Sequence, residues 1–205
     1  MYQDMDKEKF PRGKRSVEEK RNELRGEDLS GVWLAGADLK GADLQDANLN
    51  GADLKDAYLR SAILEGADLR NAVMRGVDLS ESYLKNAKLE GADLKGANLR
   101  SAILEGADLR NAILEEADLI DVDLKDAKLE GAEMKDAKLV NADLRGADLK
   151  GADLTGANLS HANMQDANLF RINLNGADLF RTNLKGVDMT GVDISNAFLD
   201  KWADN

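Results

Sequence analysis

The chain has no cysteine, one proline (Pro11) and one histidine (His161) among 205 residues, and aromatic residues make up only 4% of it. Without thiols there is no disulfide, no thiolate metal ligand and no cysteine nucleophile, and the redox compartment is not legible. With so few aromatic rings, an interior must be built from Ala and Leu, which supply most of the apolar content. No apolar run approaches the roughly 18 to 20 residues of a membrane-spanning helix, and the first 25 residues lack the apolar centre of a secretory leader. The expectation is a cytoplasmic chain that does not insert into a membrane; the alternative is an export or lumen-targeting leader removed beforehand.

What the chain has in excess is order. From Leu24 to Leu199 a leucine-like residue returns at every fifth position, filling 36 slots with 31 Leu, four Met (Met74, Met134, Met164, Met189) and one Ile (Ile194), without one slip of register. Two residues before the slot stands Ala in 26 of the 34 cases between positions 32 and 197, so a small residue recurs with the leucine. The unit reads Ala-(Asp/Asn)-Leu-x-(Gly/Asp/Asn), a self-similarity that decides the architecture before any other consideration. At about 100° per residue, a five-residue step scatters the leucines around an α-helix and leaves no apolar stripe. In a straight strand an odd step sends successive leucines to opposite faces. The pattern is satisfied if Ala and Leu point inward from a short extended side and the chain then turns at Gly, Asp or Asn, residues that tolerate turn dihedrals. Sides joined by corners wind into a solenoid.

The number of sides is also legible. Leu59 to Ala72 (LRSAILEGADLRNA) recurs letter for letter as Leu99 to Ala112, a displacement of 40 that fits two coils of 20 residues and no multiple of 15. Read every 20 residues, the Asp/Asn slot runs Asp28, Asn48, Asp68, Lys88, Asp108, Lys128, Asp148, Asn168, Asp188, with no acid on an acid. Outward columns Arg70, Glu90, Arg110, Glu130, Lys150 and Glu65, Lys85, Glu105, Lys125 alternate in sign, as expected of neighbours about 4.8 Å apart. These residues resemble the pentapeptide-repeat family, over roughly 85% of the chain. The resemblance implies an all-β fold, a right-handed quadrilateral β-helix of about nine four-sided coils some 43 Å long, with Ala and Leu inside.

The ends depart from the pattern. Residues 1–23 are expected to be an N-terminal arm and capping helix, 24–199 the repeat β-helix, and 200–205 a tail continuing a capping turn. Ser16 to Glu19 has the form of a capping box, which predicts a helix from Val17 to about Arg25. Residues 1–25 carry a net charge of +2 against −11 for the whole chain, so the basic cluster Arg12, Lys14, Arg15 reads as a solvated arm. Phe198, Leu199 and Trp202 are spaced to share one face of a helical turn, and Ser195 to Trp202 is expected to close the second mouth, because an open stack exposes unpaired backbone and core. The alternative for these three residues is a homodimer contact, since some members of the family pair through their C-terminal ends.

Catalytic chemistry finds little support. His161 falls at a corner with Asn141 and Arg181 as column neighbours, and nothing there orients it as a base. The acids are expected to alternate with Asn or Lys along each column, so no group of oxygens converges on a cation. The glycines lack a phosphate-loop signature. No catalytic, cofactor-binding or metal-binding residue is assigned, and no cofactor is expected. Some outward slots are apolar where polar residues are the rule: Ile63, Tyr83 and Ile103 in one column, and Ile120, Val140 and Phe180, interrupted by Ser160, in a column across the same corner. This edge is the candidate docking surface, with strand-surface packing as the competing explanation. Trp33, Val73 and Ile113 are separated by Asp53 and Asp93 and make a weaker column.

The expected function is therefore noncatalytic: a rigid rod presenting side-chain ladders to a protein partner, with no direct binding of nucleic acid. The runner-up follows from the resemblance, since some pentapeptide-repeat proteins imitate the shape and charge of duplex DNA and bind type II topoisomerases such as DNA gyrase. A net charge of −11 suits that reading. Interleaved Lys and Arg, a central slot of Leu where those proteins often carry Phe, and the absence of loops between coils weigh against it.

Overall fold

The computed structural model describes residues 13–199. From residue 28 onward each side of the solenoid except that of Asp188 contributes a parallel bridge, and every bridge joins residues 20 apart, as in Ile63 to Tyr83 and Tyr83 to Ile103. Four five-residue units thus complete one coil. The leucine-like residues from Leu24 to Leu179 are buried, together with the small residues that precede them. The core is a continuous column of Ala and Leu along the axis.

The five-residue unit closes because, where its mid-side residue is Asp or Asn, each of its backbone N–H groups has a defined destination. The leucine donates to the mid-side carbonyl of the next coil (Leu64 to Tyr83, 2.7 Å) and the second corner residue to the first-corner carbonyl of the next coil (Gly66 to Lys85, 3.0 Å). The mid-side residue donates to the inward small residue of the preceding coil (Ile63 to Ala42, 2.9 Å), and the inward small residue closes the corner onto the preceding leucine (Ala67 to Leu64, 3.1 Å). The fifth donor, at the first corner, goes to a side chain: Arg70 N–H donates to Asp68 Oδ1 at 3.2 Å, and Thr155 N–H to Asp153 Oδ1 at 3.0 Å. Asp and Asn recur at mid-side because their short side chains accept a hydrogen bond from the backbone two residues on.

Every second corner residue from Gly26 to Asn196 has a positive φ, which explains Gly, Asp and Asn there. A further reason for glycine comes from stacking. A Cβ on Gly66 would lie 2.5 Å from Asp46 Oδ1, and one on Gly106 would lie 2.6 Å from Asn86 Oδ1, so at these corners glycine leaves room for the Asp or Asn of the coil below.

The ends correct the sequence reading. The N-terminal helix, α1, spans Lys14–Glu19, followed by a 3₁₀ turn at Arg21–Glu23. Ser16 is therefore inside the helix and does not cap it, and Gly13 stands at the cap position. Glu19 pairs with Arg15 at 2.9 Å instead of reaching back to Ser16. Closing the mouth outweighs the local capping preference. Val17 is fully buried on the first coil, Glu18 Oε1 accepts the Asp38 N–H at 2.9 Å, and Lys14 Nζ donates to the Ala35 carbonyl at 2.7 Å.

At the other end, 195–199 are not helical. Phe198 bridges to Asp178 and exchanges backbone hydrogen bonds with Ala177 and Leu179 (2.9 and 2.8 Å), because the five-residue pairing continues to be available there. Phe198 is 70% exposed and Leu199 50% exposed, and Leu184, Val187, Met189 and Val192 are only partly buried. Trp202, with the rest of the 200–205 tail, lies outside the described residues, as does most of the 1–23 arm.

Candidate interaction edge

Side one of the rod, whose inward leucines include Leu64, Leu84 and Leu104, carries Ile63, Tyr83 and Ile103 at mid-side in three successive coils. Tyr83 is 44% exposed and Ile63 36% exposed, so the column presents apolar surface although its backbone is fully engaged in the stack. The flanking corners carry Ser61, Glu81 and Ser101 on one hand and Glu65, Lys85 and Glu105 on the other. Arg60 donates to Glu81 at 2.7 Å, and Lys85 Nζ to Glu105 at 3.0 Å.

This column differs from the rest of the surface in its hydrogen bonding. From position 28 to 193, every Asp or Asn at mid-side accepts the N–H two residues on. Ile and Tyr offer no such acceptor. Among the described residues the backbone N–H groups of Glu65, Lys85 and Glu105 consequently have no protein acceptor, and they stand in a row at the inter-coil spacing. Single interruptions of the Asp/Asn pattern occur elsewhere, at Trp33, Tyr58, Val73, Lys88, Lys128, Lys138 and Phe198, and a double one at Ile113 and Glu133. Only at 63, 83 and 103 does the interruption span three successive coils among the described residues.

Ile120 and Val140 stack across the corner that leads into side one, and Phe180 stands in the same column beyond Ser160. Ile120 and Val140 are half-buried, and Phe180 is exposed. The two columns are never apolar in the same coil: Arg60, Ser80 and Arg100 accompany Ile63, Tyr83 and Ile103, whereas Asp123, Asp143 and Asn183 accompany Ile120, Val140 and Phe180. Phe180 is instead engaged locally, edge-on to His161 at 5.6 Å between ring centroids and beneath the Arg181 guanidinium at 5.2 Å. His161 packs on that ring and donates its backbone N–H to Phe180. No carboxylate or nucleophile partners its imidazole among the described residues.

Ion pairs run along the remaining columns. Arg70, Arg110 and Arg145 each fork onto the mid-side acid two residues before them, Asp68, Asp108 and Asp143, and these hydrogen bonds hold the three carboxyls below their usual value. Lys150 reaches down to Glu130 at 2.7 Å, which lowers the Glu130 pKa. Lys95 reaches Glu115 at 2.7 Å. The alternation of acids is less complete than expected. Asp123 is bridged to Asp143, and Glu133 to Asp153. Lys125, 4.0 Å from both Asp123 and Asp143, makes the first of these stackings tolerable. Among the described residues no group of acids or histidines is arranged to hold a metal ion, and no helix is long and apolar enough to cross a membrane.

The two signals that mark the edge are the departure of Ile63, Tyr83 and Ile103 from the Asp/Asn pattern, which sequence alone reveals, and the row of open N–H groups. The second needs the fold, because the destination of the first-corner N–H is fixed only when the turn is seen.

Comparison with known proteins places these features. The pentapeptide-repeat pattern matches in eight copies between residues 23 and 201. HetL, a pentapeptide repeat protein involved in heterocyst differentiation regulation from the cyanobacterium Nostoc sp. strain PCC 7120, is 33% identical, with 90% of this chain and 92% of that one aligned at a TM-score of 0.81. QnrB1, a plasmid-mediated fluoroquinolone resistance protein, is 22% identical over 89% of this chain and 88% of that one at a TM-score of 0.56, a likeness of fold. No curated protein matches the sequence. The chain belongs to the pentapeptide-repeat family, with its right-handed quadrilateral β-helix.

Proposed function

We propose that this protein is a noncatalytic interaction module whose docking surface is the Ile63, Tyr83, Ile103 column on side one. The observation that carries the reading is the loss, in three successive coils, of a hydrogen bond that Asp or Asn makes wherever it occupies the mid-side position. A net hydrogen bond of this kind contributes about 0.5–1.5 kcal/mol. Forgoing three in a row leaves apolar surface and open donors side by side, which is the composition of a protein contact and not of a solvated face. HetL, whose name ties it to the regulation of differentiation, is a relative for which a regulatory contact is a natural mode of action.

The test is capture from a lysate of the source organism on immobilised protein, with the Tyr83→Lys/Phe180→Lys variant beside it and circular dichroism to confirm that the variant folds. A protein retained by the original chain and lost by the variant supports the reading; full retention by the folded variant overturns it. A modulator of type II topoisomerase remains the second reading, favoured by the net charge of −11 and the fold shared with QnrB1. The ion-pair ladders oppose it by breaking the acidic field into short stretches. Retention of topoisomerase subunits by both proteins would favour that reading.

A further inference from the structure

We infer that the occupant of this edge is a second copy of the chain, docked side by side with its axis parallel to the first. The inference rests on the docking reading above. Three features of side one point to it.

The first is the period. The open N–H groups of Glu65, Lys85 and Glu105 recur once per coil, about 4.8 Å apart. Acceptors along an extended peptide recur every second residue, at about 6.6 Å, and drift out of step. A second solenoid carries acceptors at the same interval as the donors.

The second is self-complementarity. A two-fold axis parallel to the rods lays the mid-side columns against each other, Ile63 on Ile63, Tyr83 on Tyr83 and Ile103 on Ile103. It also crosses the flanks. Glu65 then faces Ser61 of the second copy, Lys85 faces Glu81, and Glu105 faces Ser101. Each level pairs a hydroxyl with a carboxylate or an ammonium with a carboxylate, and each places an oxygen beside one of the open N–H groups. The antiparallel arrangement fails this test, because it sets Glu81 against Glu81, Lys85 against Lys85 and Glu65 against Glu105, and opposed like charges are unfavourable.

The third is that the surface marks its own limits. In the coil below Ile63 the mid-side residue is Asp43, and in the two coils above Ile103 it is Asp123 and then Asp143. A parallel two-fold would set each of these acids against its own copy, so the contact is confined to three coils. A patch of that size makes a weak, concentration-dependent dimer.

Sedimentation equilibrium over a wide concentration range, with carbodiimide cross-linking of a mixture of unlabelled and ¹⁵N-labelled full-length chain, tests the inference. Expected are a reversible dimer and a mixed-isotope cross-link between Glu81 of one copy and Lys85 of the other. Tyr83→Lys should raise the dissociation constant by at least about 30-fold. Glu81→Lys alone should weaken the dimer, and Glu81→Lys with Lys85→Glu should restore it, a rescue that a misfolded variant cannot give. Asp43→Asn with Asp123→Asn, which keeps the local turn acceptors, should tighten it several-fold. A monomer at millimolar concentration, a dimer indifferent to Tyr83→Lys, or mixed cross-links confined to the C-terminal end, such as Lys185 to Asp193, would each overturn it. If the chain is monomeric while a lysate protein is still lost with Tyr83→Lys, the docking reading stands and the second copy falls.

Discussion

The N-terminal mouth offers the sharpest energetic test, because one carboxylate there stands in for a missing coil. Throughout the stack the mid-side N–H donates to an inward carbonyl one coil below, as Asp53 does to Val32 (2.9 Å) and Tyr58 to Ala37 (2.8 Å). Asp38 has no coil beneath it, and Glu18 Oε1 takes the place of that carbonyl at 2.9 Å. A hydrogen bond to a charged acceptor contributes roughly 1.5–3 kcal/mol when fully sheltered. Glu18 is half-buried and water can replace it, so the expected cost of Glu18→Ala is about 1 kcal/mol. Glu18→Gln retains an acceptor and should recover about half of that. Because a solenoid's stability is close to a sum over neighbouring coils, the loss should be local. Hydrogen exchange followed by mass spectrometry should show faster exchange in a peptide containing Asp38 and Asp43, and unchanged exchange in one spanning Tyr83 and Leu84. Equal acceleration along the rod, or none at Asp38, would refute the argument that Glu18 acts as the missing acceptor.

Other consequences can be checked on the same material. Gly96→Ala, where an added Cβ meets nothing within 4 Å, should cost only the left-handed penalty of about 1 kcal/mol, whereas Gly66→Ala should cost measurably more in denaturant unfolding and be relieved in an Asp46→Ala background. Ser82 fills an inward slot usually held by Ala, and its hydroxyl donates to the Leu79 carbonyl, which already accepts the Ser82 N–H. Ser82→Ala should therefore change stability by less than about 1 kcal/mol in thermal unfolding. Asp68, Asp108 and Asp143 have folded-state pKa values below the usual 3.8. Their contribution to stability is present above that value and is lost as pH falls through the lower folded values. Unfolding titrations from pH 6 to pH 2 should show this acid loss reduced in Arg70→Gln/Arg110→Gln/Arg145→Gln.

What the sequence determined by itself is the periodic part of the protein. A five-residue register without insertions excludes helix and flat sheet on geometry alone, and the 40-residue identity of Leu59–Ala72 with Leu99–Ala112 selects four sides over three. The column positions of Ile63, Tyr83 and Ile103, and the ladder that pairs Lys85 with Glu105, follow from counting by 20. These features are local or strictly repeated, so one correct unit gives all of them. The ends were not legible in the same way. Ser16 to Glu19 has the letters of a helix start, yet α1 begins at Lys14, because placing Val17 on the open core and Glu18 on the Asp38 N–H is worth more than a cap. Phe198, Leu199 and Trp202 have helical spacing, yet 195–199 stay in the five-residue coil, because pairing of Phe198 with the coil below supplies backbone partners that a lone turn lacks. Only the tertiary structure decided why mid-side residues are Asp or Asn, and hence what their replacement at 63, 83 and 103 leaves open. A backbone donor's destination depends on the turn's three-dimensional path, which the period implies but does not specify.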